Sequence, residues 1–292
     1  MIEELRTRKG FIAALDQSGG SSKKTLVNYG IIASEIKDDE TMFQYIHEMR
    51  SRIITNQYFT ADHILGVILF KNTMERNING VNTVTYLKNK NIPSFLKIDL
   101  GLDTESDGVQ LLKDIPNLDE ILDEGIKYGV IGTKMRSVIH EYNEYGIKKI
   151  IEQQFSLAKK IISKGLVPII EPEIDINAKD KKHIESFMKT EIIKQLSKMK
   201  KDDYLMFKFT IPDLNNFYDS LLHYKNVVRI VALSGGYDRD KACELLKNNK
   251  KMIASFSRAL LEDLSVHQSD DEFSSTLKNS IEQIYNASVN NR

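Results

Sequence analysis

Along this chain, hydrophobic and polar positions fall into two alternating patterns. Eight short runs are almost wholly apolar: Phe11–Leu15, Ile64–Phe70, Phe95–Ile98, Val130–Met135, Leu166–Ile170, Tyr204–Thr210, Val227–Leu233 and Met252–Phe256. Runs of this length, rich in Ile, Val, Leu and Phe, predict strands buried on both faces, as in a parallel sheet. Between them, apolar residues recur at helical spacing. Met42–Ile54 sets Phe43, Ile46, Met49 and Ile53 on one stripe, and Tyr142–Lys164 repeats the pattern over a longer stretch. Leu118–Ile126 follows Asn117, a good N-cap. Asp180–Lys200, Leu214–Leu222, Asp238–Asn249 and Asp271–Ser288 read as helices too. This alternation predicts the α/β class and a single-domain (β/α)8 TIM barrel spanning residues 1–292. An open doubly wound sheet is the competing architecture. No Gly-x-Gly-x-x-Gly follows the first strand, which weakens its dinucleotide-binding form. The 5 prolines form no linker run.

Composition narrows the function more than the fold. With 41% hydrophobic and 28% charged residues over 292 positions, the chain reads as globular. Lys+Arg and Asp+Glu are 41 each. No global field therefore recruits nucleic acid or an anionic membrane, and a charged ligand must be met locally. No run approaches the ~18 apolar residues of a membrane span. Met1–Arg6 lacks the apolar core of a signal peptide. Cys243 is the one cysteine, so no internal disulfide is expected, and its helical setting reads as an inert buried thiol. Together these point to the cytoplasm.

Charges interrupt the apolar pattern at its most buried points. Lys208 sits inside Tyr204–Thr210. Taken alone, it is either a lysine snorkelling from a strand end or a buried amine whose proton is held weakly enough to make it a nucleophile. Its neighbours weigh on that choice. The first strand runs into Asp16, and Lys97/Asp99, Lys134/Arg136 and Glu171/Glu173 are i, i+2 pairs on the next candidate strands. Side chains two apart on a strand share a face, and barrels carry their chemistry at the C-terminal ends of strands. Such a cluster is either a structural ion-pair network or an active site. Two close carboxylates ionise together only at a cost, so one of Glu171 and Glu173 is expected to hold a proton. An amine, an acid to dehydrate a carbinolamine and a separate carboxylate base are the parts for Schiff-base chemistry on a carbonyl.

The last two strands supply something else. Leu233-Ser234-Gly235-Gly236 precedes a helical pattern, and consecutive glycines can turn backbone N–H groups toward one anion. Alone, the motif is equally a tight turn. Arg258 after the neighbouring eighth strand makes phosphate the better reading of the Ser234-Gly235-Gly236 loop. A second Ser/Gly turn, Gln17–Ser22 with Lys23 and Lys24, could hold a second phosphate about a ligand's width away. His47, His63, His140, His183, His223 and His267 show no metal-ligand spacing, so no metal and no cofactor is expected.

Taken in order, these motifs resemble class I fructose-bisphosphate aldolase, nearest the bacterial form. The resemblance runs through Leu15-Asp16-Gln17-Ser18, Gly66–Phe70, Leu96–Asp99, Thr133-Lys134-Met135-Arg136, Val167-Pro168-Ile169-Ile170-Glu171-Pro172-Glu173, Lys208, Leu233–Gly236 and Ser257–Leu260. It implies a metal-independent lyase cleaving fructose 1,6-bisphosphate reversibly to dihydroxyacetone phosphate and glyceraldehyde 3-phosphate, in glycolysis and gluconeogenesis. Lys208 matches the Schiff-base lysine, Glu171 the carbinolamine acid/base and Asp16 the carboxylate taking the C4 hydroxyl proton. Lys134 matches the lysine orienting both acids, and Glu173 the second glutamate. Ser234, Gly235 and Arg258 match the C1-phosphate site. Ser18 and Lys97 match contacts at the C6-phosphate end, with Arg136 lining the same cleft. Lys24-Thr25 stands where animal enzymes carry Lys-Arg, and Ser257 where they carry glycine. The implied partner is a sugar phosphate. A homo-oligomer is compatible with the family, and neutral charge leaves its state open. Tagatose 1,6-bisphosphate turnover, or a non-catalytic sugar-phosphate binder on the same barrel, are the rival readings.

Overall fold

A computed structural model describes residues 1–18 and 20–289. Gly19 of the expected phosphate turn, and the last three residues of the expected 1–292 domain, lie outside the described residues. Eight strands pair in parallel in chain order. They are β1 (Phe11–Leu15), β2 (Ile64–Leu69), β3 (Ser94–Lys97), β4 (Gly132–Ile139), β5 (Val167–Ile174), β6 (Leu205–Thr210), β7 (Val227–Leu233) and β8 (Met252–Ala254). β8 returns to β1, where the Ala14 N–H donates to the Phe256 carbonyl at 3.3 Å. The sheet thereby nears closure as a (β/α)8 barrel. Its strands are apolar throughout because both faces are covered. Ile12, Leu65, Phe95, Ile169, Met206 and Ile253 fill the barrel, while a larger apolar cluster packs the outer faces under the helices. At Gly132 the walls approach so closely that a Cβ would lie 2.1 Å from the Val167 carbonyl oxygen. Only glycine fits that contact.

Besides a short helical turn at Lys71–Glu75, the helices are α1 (Ile2–Thr7), α2 (Gly20–Tyr29), α3 (Asp39–Thr55), α4 (Thr83–Asn89), α5 (Leu118–Tyr128), α6 (Glu144–Ser163), α7 (Lys181–Leu196), α8 (Arg239–Lys247), α9 (Arg258–Leu261) and α10 (Asp270–Val289). Asp38, Asn82, Asn143 and Asp238 cap their helices by accepting first-turn N–H groups, which satisfies donors the helix cannot. Asn117 occupies the N-cap position of α5 without such a bond. α1 closes the N-terminal end of the barrel: Leu5 joins the interior cluster, and buried Arg229 of β7 donates to the Leu5 carbonyl at 2.9 Å and the Arg8 carbonyl at 2.7 Å.

Several expected boundaries change. β4 and β5 run on to Ile139 and Ile174, because they pair residue by residue from Gly132↔Val167 to Ile139↔Ile174. The antiparallel pair Val109–Gln110 extends that edge. Lys134, Arg136, Glu171 and Glu173 therefore lie within strands, held by ladder hydrogen bonds, rather than at fraying ends. The Leu214–Leu222 segment forms only a 3-10 turn at Asp219–His223. Asn216 has φ of 61°, a left-handed conformation that a helix cannot contain. The Ser/Gly turn after β1 is shorter than expected, since α2 already begins at Gly20.

Candidate active site

At the C-terminal end of the barrel lies a cavity of about 540 Å3. Asp16, Ser18, Lys97, Lys134, Arg136, Glu171, Glu173, Lys208, Ser234, Gly235 and Arg258 all line it. Gly236 is one step away, lining an adjoining groove that shares Arg258. Six basic side chains (Lys24, Lys97, Lys134, Arg136, Lys208, Arg258) face four acidic ones (Asp16, Asp99, Glu171, Glu173). A chain with zero net charge thus concentrates positive charge at one mouth, which suits an anionic ligand.

The centre of the cavity is a chain of buried charges. Lys208 is 4% exposed, so the snorkelling alternative does not describe it. Its Nζ stands 3.2 Å from Glu171 Oε1. Lys134 Nζ lies 3.0 Å from Glu171 Oε2 and 2.6 Å from Asp16 Oδ2. Burial alone would raise the carboxyl pKa of Asp16, but Lys134, Lys208 and Lys97 outweigh it and hold the group well below the usual carboxylate range. Burial likewise works against the charge on Lys134, yet Asp16, Glu171 and Asp99 raise its pKa above the ordinary lysine value. Asp16 and Lys134 are thus held ionised. Glu171 is bracketed by two ammonium groups, with Lys208 on one carboxylate oxygen and Lys134 on the other.

The two glutamates meet different cations. Glu173 takes Arg136, Nε to Oε2 at 2.5 Å, while Glu171 sits between two lysines. Burial opposes the charge on Arg136, but Glu173 outweighs it and raises the guanidinium pKa. Lys97 is turned onto Asp99, donating to both its carboxylate and its backbone carbonyl.

Two sets of loops offer anion sites beside this cluster. After β7, Ser234 is buried, and Gly235 and Gly236 take φ of 63° and 113°. A Cβ at Gly235 would lie 2.6 Å from Ile176 Cγ2, so this turn admits no side chain. A guanidinium nitrogen of Arg258, at the start of α9, lies 3.6 Å from the Cβ position of Gly236. After β1, Ser18 accepts from Ser21 through its carbonyl, and Lys24 and Thr25 of α2 complete the cavity wall.

The support for Glu171 was not visible in the sequence pattern. β5 and β6 pair only at Ile169↔Met206 and Ile170↔Phe207, then part where Glu171 and Lys208 face the cavity. The Glu171 N–H donates to Gln154 Oε1 of α6 at 2.9 Å, and Gln154 Nε2 donates to Ser137 Oγ at 3.0 Å. Thr210 closes the gap above, donating to the Ile174 carbonyl at 2.6 Å and accepting its N–H at 2.9 Å. Gln154 is an ordinary amide in an amphipathic helix, so nothing in its spacing marks it. Among the described residues no three His, Cys, Asp or Glu side chains are grouped to hold a metal ion. Nor is any helix long and apolar enough to cross a membrane. Burial pushes the Cys243 thiol up to about 11, in keeping with an inert thiol.

Known proteins share this architecture. A Plasmodium falciparum fructose-bisphosphate aldolase, crystallised with TRAP and a small molecule inhibitor, matches at TM-score 0.78 and 20% identity. That match covers 98% of this chain and 92% of that one. A Schiff-base-forming fructose-1,6-bisphosphate aldolase matches at TM-score 0.51 and 11% identity, over 97% and 99% of the two chains. A Corynebacterium glutamicum protein matches at 0.56 and 10%, over 98% and 91%. At such identities the likeness is one of fold. The family model for class-I fructose-bisphosphate aldolase, however, matches residues 4–215, the larger part of the sequence. The chain therefore belongs to the class-I fructose-bisphosphate aldolase family and is a lyase of the aldolase type.

Proposed function

We propose that this protein reversibly cleaves fructose 1,6-bisphosphate to dihydroxyacetone phosphate and glyceraldehyde 3-phosphate, in the cytoplasm, as a step of glycolysis and gluconeogenesis. The observation that carries the reading is the unbroken series Lys208–Glu171–Lys134–Asp16, each member within 3.2 Å of the next. A binding protein has no use for a buried amine held against an acid at the floor of a cavity. In the reaction, Lys208 passes its ammonium proton to Glu171, and the neutral Nζ adds to the C2 carbonyl, which takes up an N–H proton to become the carbinolamine hydroxyl. Glu171 delivers a proton to the carbinolamine hydroxyl, which leaves as water and gives the iminium. Asp16, kept anionic by Lys134, takes the C4 hydroxyl proton as the C3–C4 bond breaks. The bonding pair moves into the iminium to form an enamine, and the aldehyde product departs. Protonation at C3 and hydrolysis release the ketone and restore Lys208. Ser234, Gly235, Gly236 and Arg258 hold the C1 phosphate, and Ser18, Lys97 and Arg136 the C6 phosphate. Glu173 fixes Arg136 in place.

Borohydride reduction with substrate, followed by peptide mass mapping, tests this directly. The expected adduct is on Lys208. A modified lysine elsewhere, or none, overturns the Schiff-base assignment. Relative turnover of the fructose and tagatose bisphosphates then decides which C4 epimer the site takes.

A further inference from the structure

Beneath the charge cluster lies a cation that this mechanism does not use. Arg50 of α3 is 0% exposed, yet its hydrogen bonds among the described residues go to neutral oxygens. One terminal nitrogen donates to Thr73 Oγ1 at 2.6 Å. The other donates to the Gln17 carbonyl at 2.7 Å and to Gln17 Oε1 at 3.2 Å. Its Nε is buried without a partner. Burial pushes this guanidinium down to about 9, with only Asp16 pulling the other way. A charge so poorly compensated is costly to keep, and an apolar side chain would pack the same helix face with Ile46, Met49 and Ile53.

What Arg50 holds is the residue next to Asp16. Because the guanidinium occupies Gln17 Oε1, the amide must present its Nε2 outward. That group donates to Ser257 Oγ at 2.5 Å, and Ser257 directly precedes Arg258 at the start of α9. The connection thus runs from a buried helix, through the loop that carries the cleavage carboxylate, to the loop that carries the phosphate-binding arginine.

We propose that Arg50 is a positioning residue that, through Gln17 and Ser257, locks the Asp16 loop and the Arg258 loop into one geometry. The role rests on the aldolase reading above. Gln17 and Ser257 then act together to set the distance between the C4-hydroxyl base and the C1-phosphate grip. Two loops on neighbouring barrel strands would otherwise move independently, and small displacements of a catalytic group are expensive in rate.

The test is steady-state cleavage of fructose 1,6-bisphosphate by the full-length Arg50→Met, Gln17→Leu and Ser257→Ala variants. Rates are expressed per Lys208 trapped by borohydride with saturating dihydroxyacetone phosphate. Trapping needs Lys208 and Glu171 but not the Asp16 step, so it counts intact sites. The expected result is a fall in kcat per trapped site of tenfold or more for Arg50→Met and Gln17→Leu, with KM raised several-fold in all three. Gln17→Leu and Ser257→Ala combined should raise KM no further than the worse single change, as expected for links in one chain. If kcat per trapped site stays at the wild-type value and only the number of sites falls, Arg50 serves folding alone and the proposal is overturned. Independent, multiplying effects of Gln17→Leu and Ser257→Ala on KM overturn it as well. If Arg50→Met does not fold, the Gln17 and Ser257 variants, both at the cavity rim, carry the decision. No trapping at Lys208 in the wild-type protein would defeat the Schiff-base reading first, and this role with it.

Discussion

Two buried cations on neighbouring strands of the barrel have opposite fates. Arg229 on β7 lies beside Met206 in register, and Lys208 on β6 lies beside Val231, two residues or roughly 7 Å higher along the wall. Both are nearly inaccessible, at 5% and 4% exposure. Arg229 spends donors on the Leu5 and Arg8 carbonyls and so fastens α1 across the closed end. Lys208 meets a carboxylate and opens on a cavity. Burial by itself therefore does not identify a functional charge. The setting does: at the closed end Arg229 holds a docked helix through its carbonyls, whereas Lys208 meets a carboxylate at a cavity, where the proposed mechanism makes it the reagent.

The sharpest way to break this contrast is to remove the reagent. Lys208→Met should lower cleavage by at least ~10^4-fold and abolish borohydride trapping, because no other amine occupies the covalent position. Substantial residual turnover would mean the contrast is wrong. Glu171→Gln keeps the shape but removes the proton, and should slow turnover by ~10^2–10^4-fold, with substrate binding measured by calorimetry largely retained. Arg229→Leu tests the other side. It orphans two carbonyls at about 1–3 kcal/mol each, so urea denaturation should show a clear loss of stability, while turnover per trapped site stays within about twofold. A tenfold fall in that turnover would erase the distinction between the two ends.

A smaller effect concerns acid. The folded Asp16 carboxyl has a lowered pKa. Its contribution to stability is thus complete above the ordinary carboxylate range and is lost as pH falls through the folded value. Asp16→Asn should flatten that acid limb. Between pH 7 and pH 3.5 the variant should lose less stability than the wild type, by about 0.7 kcal/mol, with most of the difference appearing below pH 3.5. Equal losses would show that Lys134 does not stabilise the Asp16 charge.

Lys208 and its companions were legible because a charge inside an apolar run contradicts its surroundings, and several contradictions coincided. Arg50 carries the same signal, since Ile46, Arg50 and Ile53 share one helical face. The signal is fainter there because charges are ordinary on helices and anomalous only in strands. Gln154 and Thr210 could not be found this way: a neutral polar residue fits many environments, and their importance arises only where β5 and β6 separate. The barrel was legible as a repeat of textures. Leu214–Leu222 misled because its apolar spacing was helical while Asn216 adopts a left-handed turn. The spacing of the glutamates along one strand likewise says nothing of the cations that the strands on either side supply.

That separation of β5 from β6 has a dynamic consequence. The Glu171 amide proton is held by a side chain of the outer helix layer, at Gln154 Oε1. Its exchange with deuterated solvent is thereby tied to the opening of α6 against the barrel. An amide at the heart of the wall thus reports on the breathing of the shell around it, and a substitution in that shell can retune the acid without entering the cavity.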